Sequence, residues 1–165
     1  MEENVSDGRI LGGSVANSAV YNDDFDFNIG KANILREGND IAIIACGTMV
    51  YNALRASDLL KDGKLEASVI DMHTIKPIDT ETIEKISTSH NLIVTVEEHS
   101  TIGGLGSAVS EYLSTMNHKP PLLVLGIYDE CFHYRRMQVS ARKKTIVAKP
   151  NNKYHFEDIL FNLNV

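Results

Sequence analysis

Four short apolar runs, Ile41–Cys46, Ala67–Met72, Leu92–Glu97 and Leu122–Ile127, confine this chain to few possible folds. They are rich in Ile, Val and Leu and lack the polar alternation of a half-exposed strand. That pattern suits a parallel sheet covered on both faces. Stretches with helical spacing lie between them. Val50, Ala53, Leu54, Ser57 and Leu60 form one stripe. Asp79 or Thr80 can cap a second helix, which carries Ile83 and Ile86. Leu105, Ala108, Val109, Tyr112, Leu113 and Met116 share one face of a third. A last stretch, His155–Leu163, places Phe156, Ile159, Leu160 and Leu163 inward in a closing helix. Strand–helix repetition of this kind implies right-handed crossovers. It predicts a three-layer α/β/α sandwich with a mostly parallel sheet of about five strands.

A chain of 165 residues is expected to form one domain. Residues 1–19 are polar and dotted with glycine, and are expected to be a poorly ordered tail or linker, with the domain over 20–165. The net charge of −6 argues against general nucleic-acid or acidic-membrane binding, which requires clustered Lys and Arg. Cys46 and Cys131 show no C-x-x-C spacing, so neither a zinc knuckle nor a disulfide framework is signalled, and Cys46 is expected to be a buried thiol. No apolar run approaches the roughly 20 residues of a membrane span, and none near the start has signal-peptide length. A soluble, cytoplasmic protein is expected.

Sites in an open parallel sheet form beyond the carboxyl ends of the strands. There the sequence places Gly47 and Thr48, then Asp71, His73 and Lys76, then Glu97, Glu98, His99 and Ser100, with Gly103, Gly104, Gly106 and Ser107 opening the third helix. Glycines at a helix N-terminus can hold a small anion or phosphate. They can equally do no more than allow a sharp turn and close packing, and the G-K-[ST] ending of a P-loop is missing. His73, Glu97 and His99 have the chemistry of metal ligands, but nothing in their spacing demands a metal, and a hydrogen-bonded histidine–carboxylate cluster at a contact surface is expected instead. No nucleophile or set of oxyanion donors accompanies them, so no catalytic residue is assigned. Arg135, Arg136, Arg142, Lys143, Lys144 and Lys149 form a basic stretch without an acidic residue between its ends. It is either a patch for phosphate or an acidic partner, or a solvated face.

In order, these segments resemble the C-terminal domain of transketolases. The resemblance is carried by Phe27–Gly38, by Val69-Ile70-Asp71-Met72-His73-Thr74-Ile75-Lys76-Pro77-Ile78-Asp79, by Thr95-Val96-Glu97-Glu98-His99-Ser100, and by Ile102–Val109. It is strong from about Val20 to Leu125 and fades beyond. The wording is nearer to two-subunit transketolases than to the related 1-deoxyxylulose-5-phosphate synthases or the beta chains of 2-oxo acid dehydrogenases. The resemblance implies a parent enzyme that moves a two-carbon ketol unit between sugar phosphates with thiamine diphosphate and a divalent metal such as magnesium. It places the cofactor in other domains, whose G-D-G motif is missing here, so this chain is expected to bind no cofactor and no metal and to be inactive alone. Its expected partners are the remaining transketolase domains or subunit, with a homodimer contact. Asp71, His73, Lys76, Glu97, His99 and Gly103–Gly106 would then form a contact surface. The alternatives are a stand-alone anion-binding or regulatory module, or the C-terminal domain of a 1-deoxyxylulose-5-phosphate synthase or a 2-oxo acid dehydrogenase beta subunit. Residues 128–150 depart from the family: His133, Tyr134, Arg135 and Arg136 replace the expected turn, and no glycine follows Gly126.

Overall fold

The computed structural model describes residues 20–21 and 27–127. These residues form five strands, β1 (Asn33–Arg36), β2 (Ile41–Ala45), β3 (Ala67–Asp71), β4 (Leu92–Ser100) and β5 (Leu122–Ile127), and three helices, α1 (Met49–Asp62), α2 (Thr80–Ser89) and α3 (Leu105–Ser114). The sheet order is β1-β3-β2-β4-β5. The four strands expected from the apolar runs are mutually parallel, and β1 adds an antiparallel edge through Asn33↔Asp71 and Ile34↔Ile70. The expected mostly parallel α/β sandwich is present.

Alternation along the strands divides the core in two. Ile41 and Ile43 of β2, Val69 of β3 and Val94 of β4 pack with Val50, Ala53 and Leu60 of α1. Ala42, Ile44, Ile70 and Ile93 face the other way, against Ile83 and Ile86 of α2 and Leu105, Val109 and Leu113 of α3. Small residues at Ala53 and Ala56 let α1 lie close to the sheet. The helix stripes match the expected ones except that Met116 lies beyond the end of α3. The stretches His155–Leu163 and Arg135–Lys149 lie outside the described residues.

Asp79 ties the approach to β1 onto α2. Its buried carboxylate accepts from the Ala32 amide (2.9 Å), the Thr82 amide (3.2 Å) and the Thr82 hydroxyl (2.8 Å). Burial alone would push this carboxyl up. The amide and hydroxyl donors and nearby Lys31 outweigh burial and hold it below the usual range. A lowered native pKa adds stability that is present near neutrality and is lost as pH falls through that pKa. Asp79→Ala should therefore cost about 1–2 kcal/mol at neutral pH, by analogy with lost helix caps. In urea denaturation, the gap between variant and wild type should narrow in acid.

Candidate functional site

The third helix begins on a carboxylate supplied by the neighbouring strand. Glu97 is 1% exposed and points inward from β4. Its two oxygens accept from the Leu105 amide at 2.7 Å and the Gly106 amide at 2.8 Å. Free amides and a partial positive charge favour an anion at such a terminus. Here the anion is the chain's own. The glycines follow from this closeness: a Cβ on Gly104 would lie 2.0 Å from Glu97 Oε2, and one on Gly106 would lie 2.3 Å from Val124 Cγ1. Ser107 does not face this carboxylate. Its hydroxyl accepts from the Gly103 amide at 2.8 Å, where Gly103 takes φ +79, and donates to the Thr101 carbonyl at 3.1 Å.

The chain turns from β2 to β3 on one side of the sheet and continues from β4 to β5 on the other. The switch point of the sheet therefore lies between the carboxyl ends of β2 and β4. Thr48 closes that crevice by donating to the Glu98 carboxylate at 2.6 Å. Cys46 beside it is half-buried rather than fully buried, because it lies just past the strand end. Burial, with the negative charges of Glu97 and Asp71, pushes its thiol up to about 11, which makes it a poor nucleophile at neutral pH.

A second polar group gathers at the end of β3. Tyr21 donates to Asp71 Oδ2, although fifty residues separate the two in sequence. Burial raises the Asp71 carboxyl above its ordinary value, and neither the Tyr21 hydroxyl nor the nearby charge of His73 cancels that effect. Tyr21 is raised as well, by burial and then by its bond to Asp71. Phe27 packs on the His73 ring with centroids 4.3 Å apart, and His73 Nδ1 meets Thr74 Oγ1 at 2.9 Å.

The expected rim residues thus divide into separate groups. Asp71 and His73 are neighbours. Glu97 serves α3, and His99 is exposed, with Nδ1 3.3 Å from the Ser100 carbonyl. Lys76 is exposed ahead of a cis Lys76–Pro77 bond. His73, Glu97 and His99 therefore do not form the expected histidine–carboxylate cluster, because each is engaged elsewhere. Among the described residues no group of three His, Cys, Asp or Glu side chains is placed to hold a metal ion. Sequence reasoning missed Tyr21 and Asn33, which no local pattern marks. It placed Thr48 at a strand end but not its bond to Glu98.

Residues 30–144 match the family described as transketolase, C-terminal domain. The chain belongs to that family. The match to this C-terminal domain runs past Leu125 and takes in part of the basic stretch, further than the expected limit of the resemblance. The chain is 47% identical over 119 residues to one of the apulose-4-phosphate transketolase subunits of Phocaeicola vulgatus, covering 72% of this chain and 38% of that one. It is 48% identical over 103 residues to a putative transketolase C-terminal section of Methanocaldococcus jannaschii, covering 62% and 32%. It is also 46% identical over 101 residues to 1-deoxy-D-xylulose-5-phosphate synthase of Pasteurella multocida, covering 61% and 16%. A solved split-gene transketolase, an inactive beta4 tetramer, superposes with a TM-score of 0.74 at 33% identity, over 89% of this chain and 45% of that one. The chain therefore spans well under half the length of the curated relatives it matches. Among the described residues of this transketolase C-terminal domain, no helix is long and apolar enough to cross a membrane.

Two outcomes follow from the rim geometry. Gly104→Ala should push the Glu97 carboxylate off the α3 amides and lower stability by about 1–3 kcal/mol, read by chemical denaturation. Asp71 behaves oppositely to Asp79. Its raised native pKa means that stability is greatest below the unfolded carboxyl pKa and is lost as pH rises through the native one. Asp71→Asn should remove that loss, leaving the variant at least as stable as wild type near neutrality in thermal melts across pH.

Proposed function

We propose that this chain is the non-catalytic C-terminal domain of a thiamine-diphosphate-dependent transketolase, acting in packing and subunit assembly through its carboxyl rim. The observation that carries this is the exposure of large apolar side chains there: Phe27 at 55%, Ile29 at 74%, Ile75 at 38% and Ile102 at 65%. Apolar surface gathered on loops at one edge of a sheet favours contact with another protein surface. The cofactor does not fit the same rim. The amides that would hold a diphosphate are bonded to Glu97, and Glu98 adds a second carboxylate at the switch point. No catalytic step is assigned to this chain.

In this proposal residues 20–165 act as the assembly domain and 1–19 as a tail or linker. The partner is the remaining transketolase domains or a separately encoded subunit, together with a second copy in a homodimer, in the cytoplasm. Ketol transfer between sugar phosphates, with thiamine diphosphate and magnesium, belongs to the assembled enzyme. The resemblance to a single subunit of one transketolase and to a C-terminal section of another supports a two-polypeptide arrangement.

Calorimetric titration of this chain with thiamine diphosphate and magnesium should give no tight binding. Mixing it with a polypeptide carrying the other two domains should restore ketol transfer. Ile29→Asp and Ile102→Asp should weaken that restoration at least tenfold while leaving the thermal midpoint of the isolated chain within a few degrees. Tight cofactor binding by the chain alone would sink the proposal. Synthase activity without ketol transfer would instead place the parent among the 1-deoxyxylulose-5-phosphate synthases.

A further inference from the structure

The two faces of the sheet are not equally covered. α2 and α3 lie on one, where α3 packs on both β4 and β5. On the other, α1 is the only helix among the described residues. It packs most on β3 and least on β4, so β5 lies beyond its main contacts. Yet Leu123 and Leu125 of β5 point to that side, beside their register partners Val94 and Val96 of β4. Leu125 is 1% exposed and Val94 0%, while Leu123 is half-buried. A side chain on the face of an edge strand is closed to water only when something lies over it. Val20 also packs on this side, but Tyr21 ties it to Asp71 at the end of β3. β3 lies three strand positions from β5, roughly 14 Å away at the usual spacing.

The chain leaves β5 at Ile127, on the carboxyl rim, with residues 128–165 still to come. The α3 side of β5 is already taken, since a Cβ on Gly106 would lie 2.3 Å from Val124 Cγ1. In His155–Leu163, Phe156, Ile159, Leu160 and Leu163 recur at the spacing of one helix face, and Glu157 and Asp158 stand in the first turn, where acids favour a helix. A helix this short is unstable alone, so it forms only where its stripe is covered. Its rise of about 13 Å fits within the roughly 20 Å of β5. We propose that His155–Leu163 packs as a fourth helix across β4 and β5 on the α1 side, its stripe over Val94, Leu123 and Leu125. Residues 128–154 are long enough to bring the chain back from the rim to that face. The stripe is then used inside the core, and the apolar rim of Ile29 and Ile102 stays open to a partner.

Nuclear Overhauser spectra of the full chain should join the methyl groups of Ile159 and Leu160 to those of Leu123 and Leu125. Ending the chain at Pro150 should speed amide exchange along β5 at least about tenfold and leave α2, on the opposite face, little changed. Leu160→Asp in the full chain should have the same effect. Contacts of Ile159 and Leu160 with Ile29 or Ile102 instead, contacts of Leu125 with residues 1–19 in their place, or unaltered β5 exchange after truncation would each overturn the proposal. The spectra need no variant, so a failure of either variant to fold leaves them decisive.

Discussion

The bond between the Glu97 carboxylate and the first amides of α3 governs much of the rest of this domain. A helix of ten residues is too short to be stable by propensity alone, so α3 depends on what it packs against and on how its ends are satisfied. Glu97 supplies the second need from inside the sheet. Because the carboxylate is 1% exposed, its charge is tolerated only where donors meet both oxygens, which the Leu105 and Gly106 amides do. The helix must therefore come to the strand, and only glycine fits at Gly104 and Gly106 at that distance. The same bond decides the chemistry of the rim. A helix terminus that would otherwise attract phosphate is neutralised internally, and the edge that remains is apolar and acidic.

Most of the architecture is legible in the sequence, because β2, β3 and the first six residues of β4 are buried and so are written as largely apolar runs. Ile41–Ala45 is wholly buried, and no polar residue interrupts it. The Asp79 cap is equally legible, since its donor is three residues away. β1 is different. It has four residues of mixed exposure, and its strand character comes from pairing with β3 more than thirty residues later. β4 also runs three residues past the expected Glu97, where its pairing with β5 shifts between Val96 and Ser100. That irregular extension carries Glu98 and His99 out to the surface.

The candidate site was legible as a list of residues but not as an arrangement. Position at strand ends places Asp71, His73, Glu97 and His99 on one rim, since that follows from topology. Which of them meet depends on side-chain direction and on distant segments. Glu97 and His99 leave the same strand two residues apart, yet one is buried under α3 and the other is exposed because the strand end is irregular. The contact of Tyr21 with Asp71 has no local signature at all.

The two buried aspartates separate what stabilises this domain from what does not. Asp79 receives three donors and sits below its ordinary pKa, so its charge contributes to folding. Asp71 receives one described donor, and burial prevails, so its charge opposes folding. Asparagine could accept the Tyr21 hydrogen without that cost. A carboxylate that lowers stability, set beside an exposed apolar edge, makes physical sense where something beyond the described residues completes its bonds. Perturbed acids of this kind concentrate at functional positions. In a domain whose helix terminus is already satisfied by Glu97, the end of β3 is where a contact has most to gain.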